Sequence, residues 1–165
     1  LIFLTVGNWH KGFDRLVQAV DGLKERGVIA EEVKAQTGSG SYRPKRLTVL
    51  NYCSPDEFID NMTEARIVIS HAGVGTMGQA IKLGKSIIVV PRKAAMGEVS
   101  NDHQFITAKQ LQAEGKILVA WDTSELPSKI IEAEKFVPAQ ECGDEKIIQA
   151  VDEFISKLAE RKVKR

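Results

Sequence analysis

Apolar residues come in short unbroken runs, and amphipathic stretches lie between most of them. Residues 1–6 (LIFLTV) are apolar except for Thr5, the pattern of a strand buried on both faces. Phe13, Leu16, Val17, Val20 and Leu23 then recur at three- and four-residue spacing, which predicts a helix ending at Arg26-Gly27. Residues 33–37 (VKAQT) read as a weaker strand, 38–44 (GSGSYRP) as a loop and 47–52 as a third strand. Ser54-Pro55-Asp56-Glu57 is a helix start, with a hydroxyl cap, a proline in the first turn and acids at the positive end; this helix runs to about Glu64.

The stretch 66–91 (ARIVISHAGVGTMGQAIKLGKSIIVVP without its first Ala) organises the rest. An apolar run at 67–69 reaches Ser70-His71, a glycine-rich turn follows, and a helix opens at Thr76 and stops at Gly84. A second apolar run, 87–90, ends at Pro91. Beyond a long loop (RKAAMGEVSN), residues 102–113 predict a helix, 116–121 a strand and 122–136 a helix. A final helix at 144–165 carries Ile147, Ile148, Val151, Phe154, Ile155 and Leu158 on one face and a basic tail. Strands alternating with helices predict an α/β fold: a single Rossmann-like, doubly wound parallel sheet covered on both faces, spanning 1–165 as one domain. Ligands of such folds bind beyond the carboxyl ends of the strands.

Composition narrows the function classes. A formal net charge of +1 makes no general case for nucleic acid. The hydrophobic share of 43% and charged share of 27% are those of a globular protein. Two cysteines, Cys53 and Cys142, make neither a disulfide framework nor a zinc site, and a reduced, cytosolic compartment is expected. No apolar run reaches the roughly 20 residues of a membrane-spanning helix, and no basic leader precedes Leu1, so neither a membrane span nor a signal peptide is expected.

Gly73 to Gly78 (GVGTMG) matches G-x-G-x-x-G between a strand and a helix. Glycines there let backbone N–H groups approach a ligand, and the helix N-terminus adds partial positive charge, so the turn suits a phosphate. A dinucleotide site is the weaker reading. The fingerprint belongs on the first strand, whereas this one lies on the fourth, and the following strand ends in Pro91-Arg92-Lys93 instead of a ribose-binding acid. That basic pair would still accommodate an NADP 2′-phosphate. Alternatively, the glycines serve only tight strand–helix packing.

SHAGVGT, GKSIIVVPR and NDHQ together resemble the C-terminal, donor-binding half of glycosyltransferase family 28, half of a GT-B fold. With TVG-x-x-x-x-FDRLVQAV, SYRP and PRKAAMGEVSNDHQ, the likeness extends to the PssE-like donor chain of two-chain bacterial exopolysaccharide glycosyltransferases and to the catalytic chain of the dolichol-pathway N-acetylglucosaminyltransferase. The resemblance implies a UDP-sugar donor and a lipid-diphosphate-linked acceptor at the cytoplasmic face of a membrane. It also implies a membrane-anchored partner chain that binds the acceptor, and no metal or other cofactor. A non-catalytic nucleotide-sugar-binding module is the alternative.

On that resemblance, His71, Ala72, Gly73, Val74, Gly75 and Thr76 form the diphosphate cradle, joined by Gly7 and Asn8 from the first loop. Gln79, where the family's single-chain enzyme has Glu, meets the ribose. Asp102, His103 and Gln104 lie near the sugar, and Tyr52, Cys53 and Ser54 line the uracil region. Each has a plainer alternative: His71 as a structural hydrogen-bonder, Asn8 as a turn residue, Asp102 as a helix cap. Arg92 and Glu98 are expected to approach the sugar or the partner from the 92–101 loop. No catalytic base is assigned. The partner is expected to supply it, with His10 in the first loop as an outside candidate. The final helix either docks the partner near an anionic surface or packs on its own chain.

Overall fold

The computed structural model describes residues 1–139 apart from Trp9 and Asn51; the helix expected at 144–165, and Cys142, lie outside the described residues. Its strands are β1 (Ile2–Thr5), β2 (Val33–Gln36), β3 (Thr48–Leu50), β4 (Ile67–His71), β5 (Ser86–Val90) and β6 (Leu118–Val119). All pairings are parallel, in the order β3-β2-β1-β4-β5-β6. The helices are α1 (Asp14–Glu25), α2 (Pro55–Glu64), α3 (Val74–Lys82), α4 (His103–Ala113) and α5 (Leu126–Ala133).

Alternation along each strand divides the core into two layers. Ile2 and Leu4 of β1 face a cluster with Leu16, Val17 and Val20 of α1 and Ile130 of α5. Phe3 faces the opposite cluster, with Met62 of α2, Met77 and Ala80 of α3 and Ala108 of α4. β5 is buried at every position, which is why its sequence is a continuous apolar run after Ser86. The α2 start forms as its sequence predicts. Ser54 Oγ accepts from Glu57 N at 3.2 Å, and the Glu57 carboxylate accepts from Ser54 N at 2.8 Å.

Several boundaries differ from the sequence reading. The loop read over 38–44 is found, and with no helix joining β2 to β3 the strand–helix alternation is interrupted once. The crossover is instead an extended segment pinned to α1. Asp21, 5% exposed, accepts from Tyr42 Oη at 2.7 Å, Lys45 N at 3.0 Å and Arg46 N at 2.8 Å. Asp14 Oδ2 accepts from Ser41 N at 3.1 Å. Tyr42 packs its ring on the core and so does what a helix would do. The region expected as one helix over 122–136 is a 3-10 turn at Thr123–Glu125 followed by the shorter α5. Most relevant to function, α3 begins at Val74 with Gly73 as its cap residue, two positions before the expected start.

Candidate functional site: a cleft at the sheet's switch point

Strand order reverses between β1 and β4, and the loops that follow these two strands part there. A cleft of about 540 Å³ opens at this point. The structure brings Gly7 and Asn8 after β1 together with His71, Gly73, Gly75 and Thr76 after β4, and Gln79 one turn further along α3. Cys53 and Ser54 line the opposite wall. The other positions read from sequence fall elsewhere. Ala72 is buried beneath the loop, and Tyr52 is 62% exposed and is not part of the lining.

His71 sets the local geometry. Its ring is wedged between two glycines: a Cβ on Gly7 would lie 2.6 Å from His71 Cε1, and one on Gly73 would lie 2.2 Å from Nε2. Gly7 also has φ of +70°, so this turn requires glycine twice over. Ser70 Oγ donates to the Thr5 carbonyl at 3.0 Å and lies 3.2 Å from His71 Nδ1. With its one proton spent on Thr5, the hydroxyl is left as acceptor and Nδ1 as donor. Burial, then the nearby positive charge of Arg92, holds His71 down to about 4, against the opposing effect of a Thr5 backbone hydrogen bond. The imidazole is therefore neutral near pH 7.

The first turn of α3 opens into this cleft without a side-chain cap. Its first internal bond runs from Met77 N to the Gly73 carbonyl at 3.0 Å. The N–H groups of Val74, Gly75 and Thr76 therefore have no helical partner, as at any helix N-terminus. Lining residues carry no acid and no fixed cation. An anion held here would meet backbone donors, the helix dipole and the neutral polar side chains of the lining. Gly75 is the open position of the turn, because a Cβ there meets nothing within 4 Å. Among the described residues no group of three or more His, Cys, Asp or Glu side chains is placed to hold a metal ion.

Asp102, His103 and Gln104 are not brought to the cleft lining. Gln104 Oε1 accepts from Arg92 N at 3.1 Å, and Asp102 Oδ1 accepts from Ala94 N at 2.9 Å. Asp102 occupies the cap position of α4 but makes no side-chain cap bond; both side chains order the loop after β5 instead. Arg92 departs most from expectation. It is 1% exposed, and its guanidinium donates to the carbonyls of Val6, Lys11, Gly12 and Glu98 while lying 4.6 Å from the Phe13 ring centroid. The Glu98 carboxylate accepts from Arg15 at 2.8 and 3.0 Å and from Lys93 N at 2.8 Å. Both residues tie the 92–101 loop to the first loop and to α1. His10 is exposed, and its carbonyl accepts from Ser39 Oγ at 3.0 Å.

Gln36, Pro55, Phe58 and Ile59 also line the cleft, and sequence reasoning missed all four. Gln36 had a legible signal. A polar residue closing a buried parallel strand lies at the ligand-binding end of the sheet, as Ser70-His71 does on β4. Phe58 and Ile59 read as ordinary apolar positions of α2. Only the packing of α2 on the sheet, where the Phe58 ring centroid lies 5.6 Å from that of Phe3 in β1, turns them to the cleft.

Residues 1–162 match the model of the glycosyltransferase family 28 C-terminal domain. The chain is 30% identical over 124 residues to the mouse (Mus musculus) UDP-N-acetylglucosamine transferase subunit ALG13, a match covering 70% of this chain and 10% of that protein. It is 30% identical over 134 residues to the Yarrowia lipolytica subunit of the same name, covering 74% of this chain and 66% of that one. The chain thus spans about a tenth of the mammalian relative's length. Among solved structures, the NMR structure of ALG13 superposes with a TM-score of 0.62 at 16% identity, covering 90% of this chain and 93% of that one. Acinetobacter baumannii MurG superposes at 0.55 with 18% identity, covering 93% of this chain and 50% of that one. The structural likenesses speak for the fold, one Rossmann-like half of the GT-B type, and by the match over nearly its whole length the chain belongs to the glycosyltransferase family 28 C-terminal domain family.

Proposed function

We propose that this chain is the donor-binding subunit of a two-chain glycosyltransferase. It takes a sugar from a UDP-sugar and passes it to a lipid-diphosphate-linked acceptor in polysaccharide synthesis. The observation that carries this reading is the uncapped N-terminus of α3, whose free N–H groups open into a cleft without charged side chains. Fixed donors aimed at a leaving diphosphate stabilise the charge that develops as the glycosidic bond breaks. They do so without a metal, so none is included in the proposal. The wall formed by Cys53, Ser54 and Phe58 is the place for the uracil, and Gln79 for the ribose diol. The acceptor, its membrane anchor and the catalytic base belong to the partner chain, which keeps this subunit at the cytoplasmic membrane face.

A second reading, a nucleotide-sugar-binding module without turnover of its own, is favoured by the absence of any acid among the cleft-lining residues. An NADP-dependent oxidoreductase is disfavoured. Arg92 is buried on four carbonyls and Lys93 Nζ lies 3.1 Å from Asp122 Oδ2, so the basic pair is spent within the protein. Calorimetric titration with UDP and with NADPH separates these classes. Saturable binding of UDP and none of NADPH is expected. Binding of NADPH alone would reverse the assignment.

A further inference from the structure

A hydrogen-bond relay, buried at Thr5 and Gln36, leads from the β1 backbone to the cleft. Gly7 N donates to Thr5 Oγ1 at 3.3 Å, Thr5 Oγ1 contacts Gln36 Oε1, and Gln36 Nε2 donates to Asn8 Oδ1 at 3.2 Å. Thr5 is fully buried and Gln36 is 2% exposed, so water does not substitute at the Thr5–Gln36 contact that sets the direction of the relay, while Asn8 at its far end is exposed.

The chemistry of the groups gives the relay a direction. A backbone N–H only donates, so at its contact with Gly7 the Thr5 hydroxyl accepts. The hydroxyl proton then needs an acceptor, and Gln36 supplies one only if its carbonyl oxygen faces Thr5. The Gln36 NH₂ group is thereby turned toward Asn8, where it meets the side-chain oxygen. That contact pins Asn8 Oδ1 inward and leaves Nδ2, with its two hydrogens, directed to the cleft that Asn8 lines. The reversed arrangement would strand a buried hydroxyl proton and present an oxygen to an incoming anion.

We infer that Gln36 is a positioning residue that fixes the amide of Asn8 with its donors toward the diphosphate of the bound nucleotide. This rests on the UDP-sugar reading above and adds to it a residue that does not itself need to touch ligand. It also resolves the two sequence readings of Asn8, because a mere turn residue would have no need of a side-chain orientation set from the neighbouring strand.

The test compares UDP with uridine, which lacks the diphosphate, by calorimetry on the full chain. Asn8→Ala and Gln36→Met are each expected to weaken UDP roughly tenfold, the scale of one hydrogen bond to a charged group, and to leave uridine affinity unchanged. Because both act through one amide, the double variant should be no weaker than either single variant. Gln36→Glu guards against misfolding, since it is nearly isosteric and still accepts from Thr5. Its second oxygen accepts from Asn8 and turns the Asn8 oxygen to the cleft, so UDP affinity should drop further than in Gln36→Met, and by less when Asn8 is already Ala. Additive losses, equal losses for UDP and uridine, or unchanged UDP affinity in either Gln36 variant would overturn the relay while leaving the nucleotide reading intact. A wild-type chain that binds no UDP removes that reading and the relay's role with it.

Discussion

Gly73 and Gly75 lie two positions apart and answer to different demands. Gly73 is required by the fold, since any Cβ there runs into the His71 ring, whereas a Cβ on Gly75 meets open space in the cleft. Gly73→Ala is therefore expected to cost about 1–3 kcal/mol of stability through overpacking. Gly75→Val should leave stability within about 0.5 kcal/mol and weaken UDP by roughly tenfold or more, because the side chain occupies the approach to the free N–H groups. Urea unfolding and calorimetry on the two variants distinguish these outcomes. A Gly75→Val chain that binds UDP normally would remove the cradle. His71 makes a second prediction. Its folded value near 4 lies below the ordinary 6.5, so between these limits the unfolded chain binds more protons than the folded one. Stability is complete above about pH 6.5 and is lost as pH falls toward 4, by an amount on the order of 3 kcal/mol. His71→Gln should flatten that part of the stability–pH curve in urea melts. Equal slopes for the two proteins would refute the assignment.

At the scale of elements, the loop after β5 and the loop after β1 behave as one unit because Arg92 joins them. Its guanidinium holds carbonyls on both loops and stacks on Phe13 at the start of α1, while Arg15, itself 5.1 Å from the Phe13 ring centroid, grips Glu98. Arg92→Met keeps the apolar contact and removes the donors. It is expected to cost about 3 kcal/mol, the scale of a broken buried hydrogen-bond network. Hydrogen exchange should then rise together in residues 7–12 and 93–102. A rise confined to the second segment would show that the loops are not coupled through this residue. The consequence for function is that Gly7 and Asn8 are held in place by the same buried cation that helps keep His71 neutral.

At the scale of the whole molecule, one Rossmann-like half offers one wall of a cleft. The uncapped first turn of α3, after β4, presents backbone N–H groups to the cleft, but the cleft lining contains no carboxylate to deprotonate an acceptor. The chain purified alone is expected to bind UDP and to transfer no sugar. Co-expressed with a membrane-anchored partner of the kind proposed above, it should transfer sugar to membrane lipid. A well-formed complex without transfer would favour the binding-module reading, and transfer by the chain alone would place the base among its own residues.

The periodicity of the chain by itself determined the parallel α/β class and the positions of its strands, because a strand buried on both faces must be apolar throughout. It also marked the glycine turn between β4 and α3, because close packing of the backbone on the His71 ring at Gly73 is a demand that only a residue without a Cβ meets. Tertiary structure decided the rest. The hydrophobic pattern does not encode which loops meet, and strand order alone brings the end of β1 against the end of β4. Arg92, Glu98, Asp102 and Gln104 have the polarity of ligand-binding residues, yet the fold spends each on its own backbone or on a neighbouring side chain. A guanidinium or carboxylate pairs with whatever lies within reach, and reach is a property of the folded chain. Gln36 shows the converse. It passed in the sequence as a residue near the end of a weak strand, and only its place between Thr5 and Asn8 gives its amide a direction.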